Sequence, residues 1–88
     1  MDDRFEFDPA KNELNRQKHG IGLDAFGGFD EEIIVLIDDR HDYGEVRFSA
    51  FGIIDGLAYN IVFSPRGERL RLISFRRAHR EELAPYEG

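Results

Sequence analysis

The chain has 88 residues, 12 Lys+Arg against 18 Asp+Glu, a formal net charge of −6 and no Cys. A domain this short buries roughly 60 to 65% of its unfolded surface, which excludes a deep two-domain cofactor cleft, and the missing Cys excludes disulfides, Cys-ligated metal centres and thiol catalysis. The longest apolar run, Ile33 to Ile37, falls far short of the roughly 20 residues of a membrane span, and Met1-Asp2-Asp3 is the opposite of a basic signal-peptide start, so a cytoplasmic protein without a membrane partner is expected.

Phe5 and Phe7 alternate with Arg4, Glu6 and Asp8, the pattern of a short first strand. Asp8-Pro9 then starts a helix, because the Asp carboxylate accepts orphan amide hydrogens and Pro fits the first helical position. The helix is predicted over Pro9 to His19, with Gly20 as its left-handed cap. Ala10 and Leu14 give it a narrow apolar stripe, and Lys11, Asn15 and Lys18 stack on one face beside that stripe. A second short helix near Leu23 and Asp24 carries Phe26 and Phe29 to the core, weakened by Gly27-Gly28.

Four strands follow. Ile33 to Asp38 is apolar enough to be buried on both faces, and Arg40 to Gly44, with an exposed His41, is polar loop. Glu45 to Ile54 and Leu57 to Phe63 flank Asp55-Gly56, a pair that favours the positive φ angles of a two-residue hairpin. After a turn at Pro65 to Gly67, Glu68 to Phe75 is the last strand, and a terminal helix over Ala78 to Leu83 is stopped by Pro85. The order β-α-α-β-β-β-β-α predicts a single α+β domain: a small antiparallel sheet, N-terminal helices and a short C-terminal helix.

The net charge conceals a partition. Asp24 to Glu45 holds eight acids and one base, whereas Arg66 to Arg80 holds six arginines and one acid. A uniformly acidic surface repels phosphate, but this chain concentrates its cations. Lys11, Lys18 and His19 lie on the first helix, and Arg69, Arg71, Arg76, Arg77, His79 and Arg80 lie on the last strand and its exit. Regular alternation along that strand puts Arg69, Arg71 and Arg77 on one face and Ser74 and Arg76 on the other. His19, His41 and His79 lack metal-ligand spacing, no Gly-rich loop opens a helix, and Ser49, Ser64 and Ser74 lack a nucleophile-elbow context. No metal or cofactor is therefore expected.

Such a set suits cleavage of RNA, whose own 2′-hydroxyl is the nucleophile. The protein must orient that group, stabilise the phosphorane and move protons. The Arg fork serves the second task and His or a shifted acid the others. Each residue also has a structural reading. Lys18 and His19 complement the helix dipole, Glu45 and Arg47 form an ion pair, Arg71 and Arg76 bridge to the acidic segment, and Arg77 and Arg80 pair with Glu81 or Glu82.

Phe5-Glu6-Phe7-Asp8-Pro9, Lys11, Asn15, Lys18-His19-Gly20 and Ala25, followed by Gly44-Glu45, Arg47-Phe48, Gly52, Arg66-Gly67, Arg71, Ile73-Ser74, Arg76-Arg77-Ala78, Glu81-Glu82 and Tyr86-Glu87, resemble the BrnT toxin family in order and spacing. The resemblance implies a RelE-like fold and a ribonuclease toxin that inhibits translation. It also implies neutralisation by a BrnA-like antitoxin with a ribbon-helix-helix part, through which promoter DNA is bound and repressed. Catalysis would fall to Arg71, Arg76, His19 and Glu45, and RNA binding to Lys11, Lys18, Arg47, Arg77 and Arg80. Phe75 departs from the small residue many relatives carry, and Phe26-Gly27-Gly28-Phe29 is unusually glycine-rich. With the net acidity, these departures leave a catalytically weakened antitoxin-binding module as the alternative.

Overall fold

A computed structural model describes residues 3–40, 42 and 44–86; Met1, Asp2, His41 and Glu87, read above from sequence, lie outside them. Strand β1 (Phe5–Glu6) leads into helix α1 (Pro9–His19). The Asp8 carboxylate accepts the Ala10 N–H at 2.8 Å, and Gly20, at φ 80°, closes the helix by donating to the Arg16 carbonyl at 2.8 Å. The expected apolar stripe does not form: Leu14 is 62% exposed and Ala10 faces solvent, and the residue that α1 buries is Asn15. The reason is that α1 docks against a strand edge, where hydrogen bonding to backbone matters more than apolar contact. A single 3-10 turn (Leu23–Ala25) replaces the expected second helix, and the chain is extended from Phe26 because two adjacent glycines cannot sustain a helix.

Strands β2 (Glu31–Ile37), β3 (Phe48–Ile54), β4 (Leu57–Arg66) and β5 (Arg69–Arg77) form antiparallel neighbours, and β1 joins β5 in parallel, giving the order β1-β5-β4-β3-β2. The sheet is therefore mixed, not purely antiparallel. No hairpin dictates the direction of β1, which meets β5 from the far end of the chain. β2 is an outer strand and not one buried on both faces, since only β3 pairs with it and Ile37 remains 68% exposed. Residues 44–47 precede β3 instead of opening it, with the Arg47 carbonyl accepting the Asp38 N–H at 2.8 Å and the Val46 carbonyl accepting from Ser64 Oγ at 2.7 Å. Asp55 (φ 51°) and Gly56 (φ 78°) make the expected hairpin, with the Asp55 N–H held by Asp30 Oδ2 at 2.8 Å. Pro65 and Arg66 extend β4 instead of forming the turn, pairing with Leu70 and Arg69.

A bulge in β5 sets which residues share a face. Val62 pairs with Ser74 but Phe63 pairs with Leu72, so Ile73 is the extra residue. Leu72 and Phe75, three apart, thereby both reach one core with Leu23, Phe26, Ala50 and Ile61. The Phe26 ring sits 5.1 to 5.3 Å from Phe5, Phe29 and Phe75, and full burial of each such side chain contributes about 1.5–3 kcal/mol. Phe29 lies flat against β3 because Gly52 has no Cβ to meet its ring. On the opposite face, Leu83 of α2 (Arg80–Leu83) and Ala78, just ahead of that helix, pack with Ala58, Phe51 and Ile53, and the chain continues into a 3-10 turn (Ala84–Tyr86). Among the described residues no helix is long and apolar enough to cross a membrane.

Candidate active site

The face opposite the aromatic core carries two cross-strand rows, Leu36-Ser49-Val62-Ser74 and Phe51-Asn60-Arg76. These rows floor a groove of about 530 Å³ whose other lining residues include Lys18 and His19 from the end of α1 and Asp38, Asp39, Arg40 and Arg47 from the loop between β2 and β3. A shallower depression of about 210 Å³ continues along α1, sharing Lys18, His19, Ile73 and Ser74 and adding Lys11 and Leu14.

Of the residues singled out in the sequence, Lys18, His19, Arg47 and Arg76 therefore converge on one groove, with Lys11 on its extension. Arg76 is held bidentately by Glu82, Nη2 to Oε1 at 2.8 Å and Nη1 to Oε2 at 3.2 Å, so its partner comes from α2 and not from the acidic segment. Arg71 points to the same face, contrary to regular alternation, because the bulge inverts the parity of β5. It is absent from the groove lining and pairs with Glu6 at 3.0 Å. Glu45 also stays off the lining and binds Arg47 at 3.2 Å. Arg77 faces the other way and stacks over Tyr59 at 5.4 Å. Arg69 donates to the carbonyls of Asp3 and Phe5, and Arg80 lies exposed at the start of α2.

The charges tune one another. Desolvation first, then Lys18 and Arg76, lowers the pKa of His19 from its ordinary 6.5, so the imidazole is predominantly neutral at neutral pH. Glu82 is pulled from 4.5 to about 2, chiefly by its hydrogen bonds from Arg76 and also by the His79 N–H. It is a carboxylate throughout the physiological range and holds the Arg76 fork in one orientation. The bidentate bond from Arg40 lowers the pKa of Asp38 and keeps this buried carboxylate ionised as one half of an ion pair in the groove lining. Among the described residues no group of three or more His, Asp or Glu side chains is placed to hold a metal ion.

Three contributors were not singled out as site residues. Asn15, read only as a motif position beside lysines, fastens the His19 end of α1 to β5: its Nδ2 donates to the Phe75 and Ile21 carbonyls at 2.8 Å, and its Oδ1 accepts the Phe75 N–H at 3.1 Å. Glu82 was legible as a motif position and as a possible partner of Arg77 or Arg80, but not as the partner of Arg76. Asn60, in the middle of an apolar strand, is the one polar residue of Ala58 to Phe63 apart from Tyr59, and that interruption was the available signal.

One family model matches the chain over residues 7–82, that of the ribonuclease toxin BrnT of type II toxin-antitoxin systems. Comparison with curated proteins returned no match, and neither did comparison with solved structures.

Proposed function

Because the chain belongs to the BrnT family of ribonuclease toxins of type II toxin-antitoxin systems, we propose that it is an endoribonuclease that cuts single-stranded RNA in this groove without a metal. On this reading neutral His19 accepts the proton of the 2′-hydroxyl as that oxygen attacks phosphorus. Arg76, fixed by Glu82, stabilises the doubly charged phosphorane. The bond to the 5′-oxygen breaks, that oxygen takes a proton from the Lys18 ammonium, and a 2′,3′-cyclic phosphate remains. Arg47 holds a flanking phosphate with Glu45 steadying it, and Lys11 extends the track. Arg71 has the structural task of tying β1 to the sheet through Glu6. Arg77 and Arg80 lie outside the groove lining and are assigned no contact with the scissile phosphate. Cleavage of cellular RNA would inhibit translation, and a BrnA-like ribbon-helix-helix antitoxin would neutralise the toxin and carry the pair to promoter DNA.

The observation that carries the reading is the convergence of Lys18, His19 and Arg76, from two separate elements, on one groove. The test compares induced expression in a bacterial host with cleavage of RNA by purified protein in EDTA. Wild type and Arg71→Ala should arrest growth and cut RNA, whereas Arg76→Ala should cut on the order of a hundredfold more slowly and be tolerated. Equal arrest by wild type and Arg76→Ala would remove Arg76 from the chemistry. The antitoxin-binding alternative draws on the net charge of −6 and the Phe75 departure and is favoured if the wild-type gene is harmless without its antitoxin.

A further inference from the structure

Asn60 is 4% exposed and sits in the middle of the groove floor. Its Nδ2 donates to the Ala50 carbonyl at 3.0 Å and to Ser49 Oγ at 2.8 Å. A carbonyl only accepts, so the nitrogen must face Ala50, and this fixes the orientation of the carboxamide. The remaining atom, Oδ1, receives no donor from the described residues. No fully buried side-chain oxygen or nitrogen among them lacks a partner, so Oδ1 is one the groove exposes. The hydroxyl of Ser49, already an acceptor from Asn60, has its proton to give, and Ser74 Oγ, on the other side of β4 in the same cross-strand row, makes no bond with any described residue. The Phe51 ring stands next to Asn60 in the same row.

A carboxamide oxygen cannot bind phosphate, which offers only acceptors. This patch therefore calls for a ligand with an N–H donor, an adjacent acceptor and an apolar body. We propose that the groove floor is a nucleobase subsite, in which Asn60 Oδ1 accepts from the exocyclic amino group of an adenine or cytosine, a Ser49 or Ser74 hydroxyl donates to the neighbouring ring nitrogen, and Phe51 lines the ring. The base belongs to a nucleotide flanking the scissile phosphate, which Arg76 holds one strand away. The subsite rests on the ribonuclease reading and gives it a sequence preference.

Substrate analogues test it on the wild-type protein. Short RNAs are compared in which purine riboside replaces adenosine, pyrimidin-2-one riboside replaces cytidine or inosine replaces guanosine, one position at a time. Removing the amine of adenine or cytosine at one position next to the cut should lower kcat/KM about tenfold to a hundredfold, the cost of covering an acceptor with a base that cannot donate to it, and inosine should have no effect there. Asn60→Ser, shown by thermal melting to be folded, should cut amine-bearing and amine-free substrates equally. Should that variant not fold, Ser49→Ala combined with Ser74→Ala should slow cleavage of amine-bearing and amine-free substrates alike, because both keep the ring nitrogen that a serine hydroxyl meets, and unchanged rates in that double variant would overturn the subsite. Equal cleavage of all analogues by wild type would overturn the subsite while leaving the ribonuclease reading intact. If wild type cuts no RNA, the ribonuclease reading falls. The affinities of the same oligonucleotides, read by fluorescence anisotropy, then decide the subsite, and equal affinities overturn it.

Discussion

Asn15→Leu removes a side chain of similar volume's entire polar function and leaves three backbone groups without their partner. The Phe75 N–H and C=O lie under a residue that is 3% exposed, so water cannot replace the lost bonds; the Ile21 carbonyl is only half-buried. Each buried backbone group left unsatisfied costs about 1–3 kcal/mol, which gives about 2–4 kcal/mol for the Phe75 pair after relaxation. For a domain of this size each kcal/mol lowers Tm by about 4–8 °C, so a drop of roughly 10–25 °C is expected in thermal melts followed by far-UV circular dichroism. Asn15→Asp sharpens the test, because it keeps the acceptor for the Phe75 N–H but aims a carboxylate at two carbonyl oxygens. Burial and those oxygens raise the folded pKa of the new carboxyl, so its proton-linked stability is present at low pH and lost as pH rises through that value. The deficit of Asn15→Asp against wild type should therefore shrink as pH falls from 7 to 5. An Asn15→Leu protein within about 1 kcal/mol of wild type, or a deficit of Asn15→Asp indifferent to pH, would refute the strand-edge role of Asn15.

Further outcomes follow from the same geometry. Glu82 ionises at about 2 in the folded protein against 4.5 when unfolded, so its stabilisation is complete above pH 4.5 and disappears as pH falls toward 2. Urea midpoints should fall over that window in wild type, and Glu82→Gln, about 1–2 kcal/mol less stable at neutral pH after allowance for a side chain one-third exposed, should show less of that fall. His19 has a depressed folded pKa, so the unfolded chain binds the extra proton and stability declines as pH drops through 6.5 toward the lowered value; His19→Gln should abolish that decline in urea titrations. In RNA cleavage the acid limb of the pH–rate profile should lie below 6.5 and vanish in His19→Gln, and a limb unchanged in that variant would acquit His19 as the base. Gly52→Ala should destabilise by about 1–3 kcal/mol in the same melts, because a Cβ there overlaps the Phe29 ring and the Glu31 carbonyl.

What the sequence showed and what it hid divide along physical lines. The α1 caps, the Asp55-Gly56 hairpin and the four later strands are local matters of φ, ψ and alternation, and Asp8, Pro9, Gly20 and Gly56 state them outright. The partners of the arginines are not local. Alternation alone separates Arg71 from Arg76, and only the pairing of Val62 with Ser74 and Phe63 with Leu72 reveals the extra residue that reunites them on one face. Asn15 is opaque for a related reason, since its partner Phe75 lies 60 residues away and an exposed helix face around a polar residue looks like any solvated surface. The edge position of β2 was hidden by its own apolarity, because five consecutive aliphatic residues look buried whether or not a second partner covers them.

The arginine-rich segment that seemed to answer the acidic balance is mostly committed within the molecule. Arg69 holds backbone carbonyls, Arg71 holds Glu6, Arg77 covers Tyr59, and Arg76 reaches the groove only as half of a pair with Glu82. Asp38 and Asp39 also line the groove, Asp38 as a buried carboxylate paired with Arg40. The groove thus offers only a few cations to phosphate, and a single strand bound through few phosphates gains little affinity from counterion release. If the groove is the RNA site, as proposed, contacts that do not depend on charge must supply a large share of the affinity, and those available on its floor are the Phe51 ring, the Asn60 oxygen and the serine hydroxyls. On the proposed reading, this economy of charge has a net-acidic protein recognise RNA by its bases and reserves the tethered Arg76 for the transition state, where the phosphorane carries one more negative charge than the substrate phosphate.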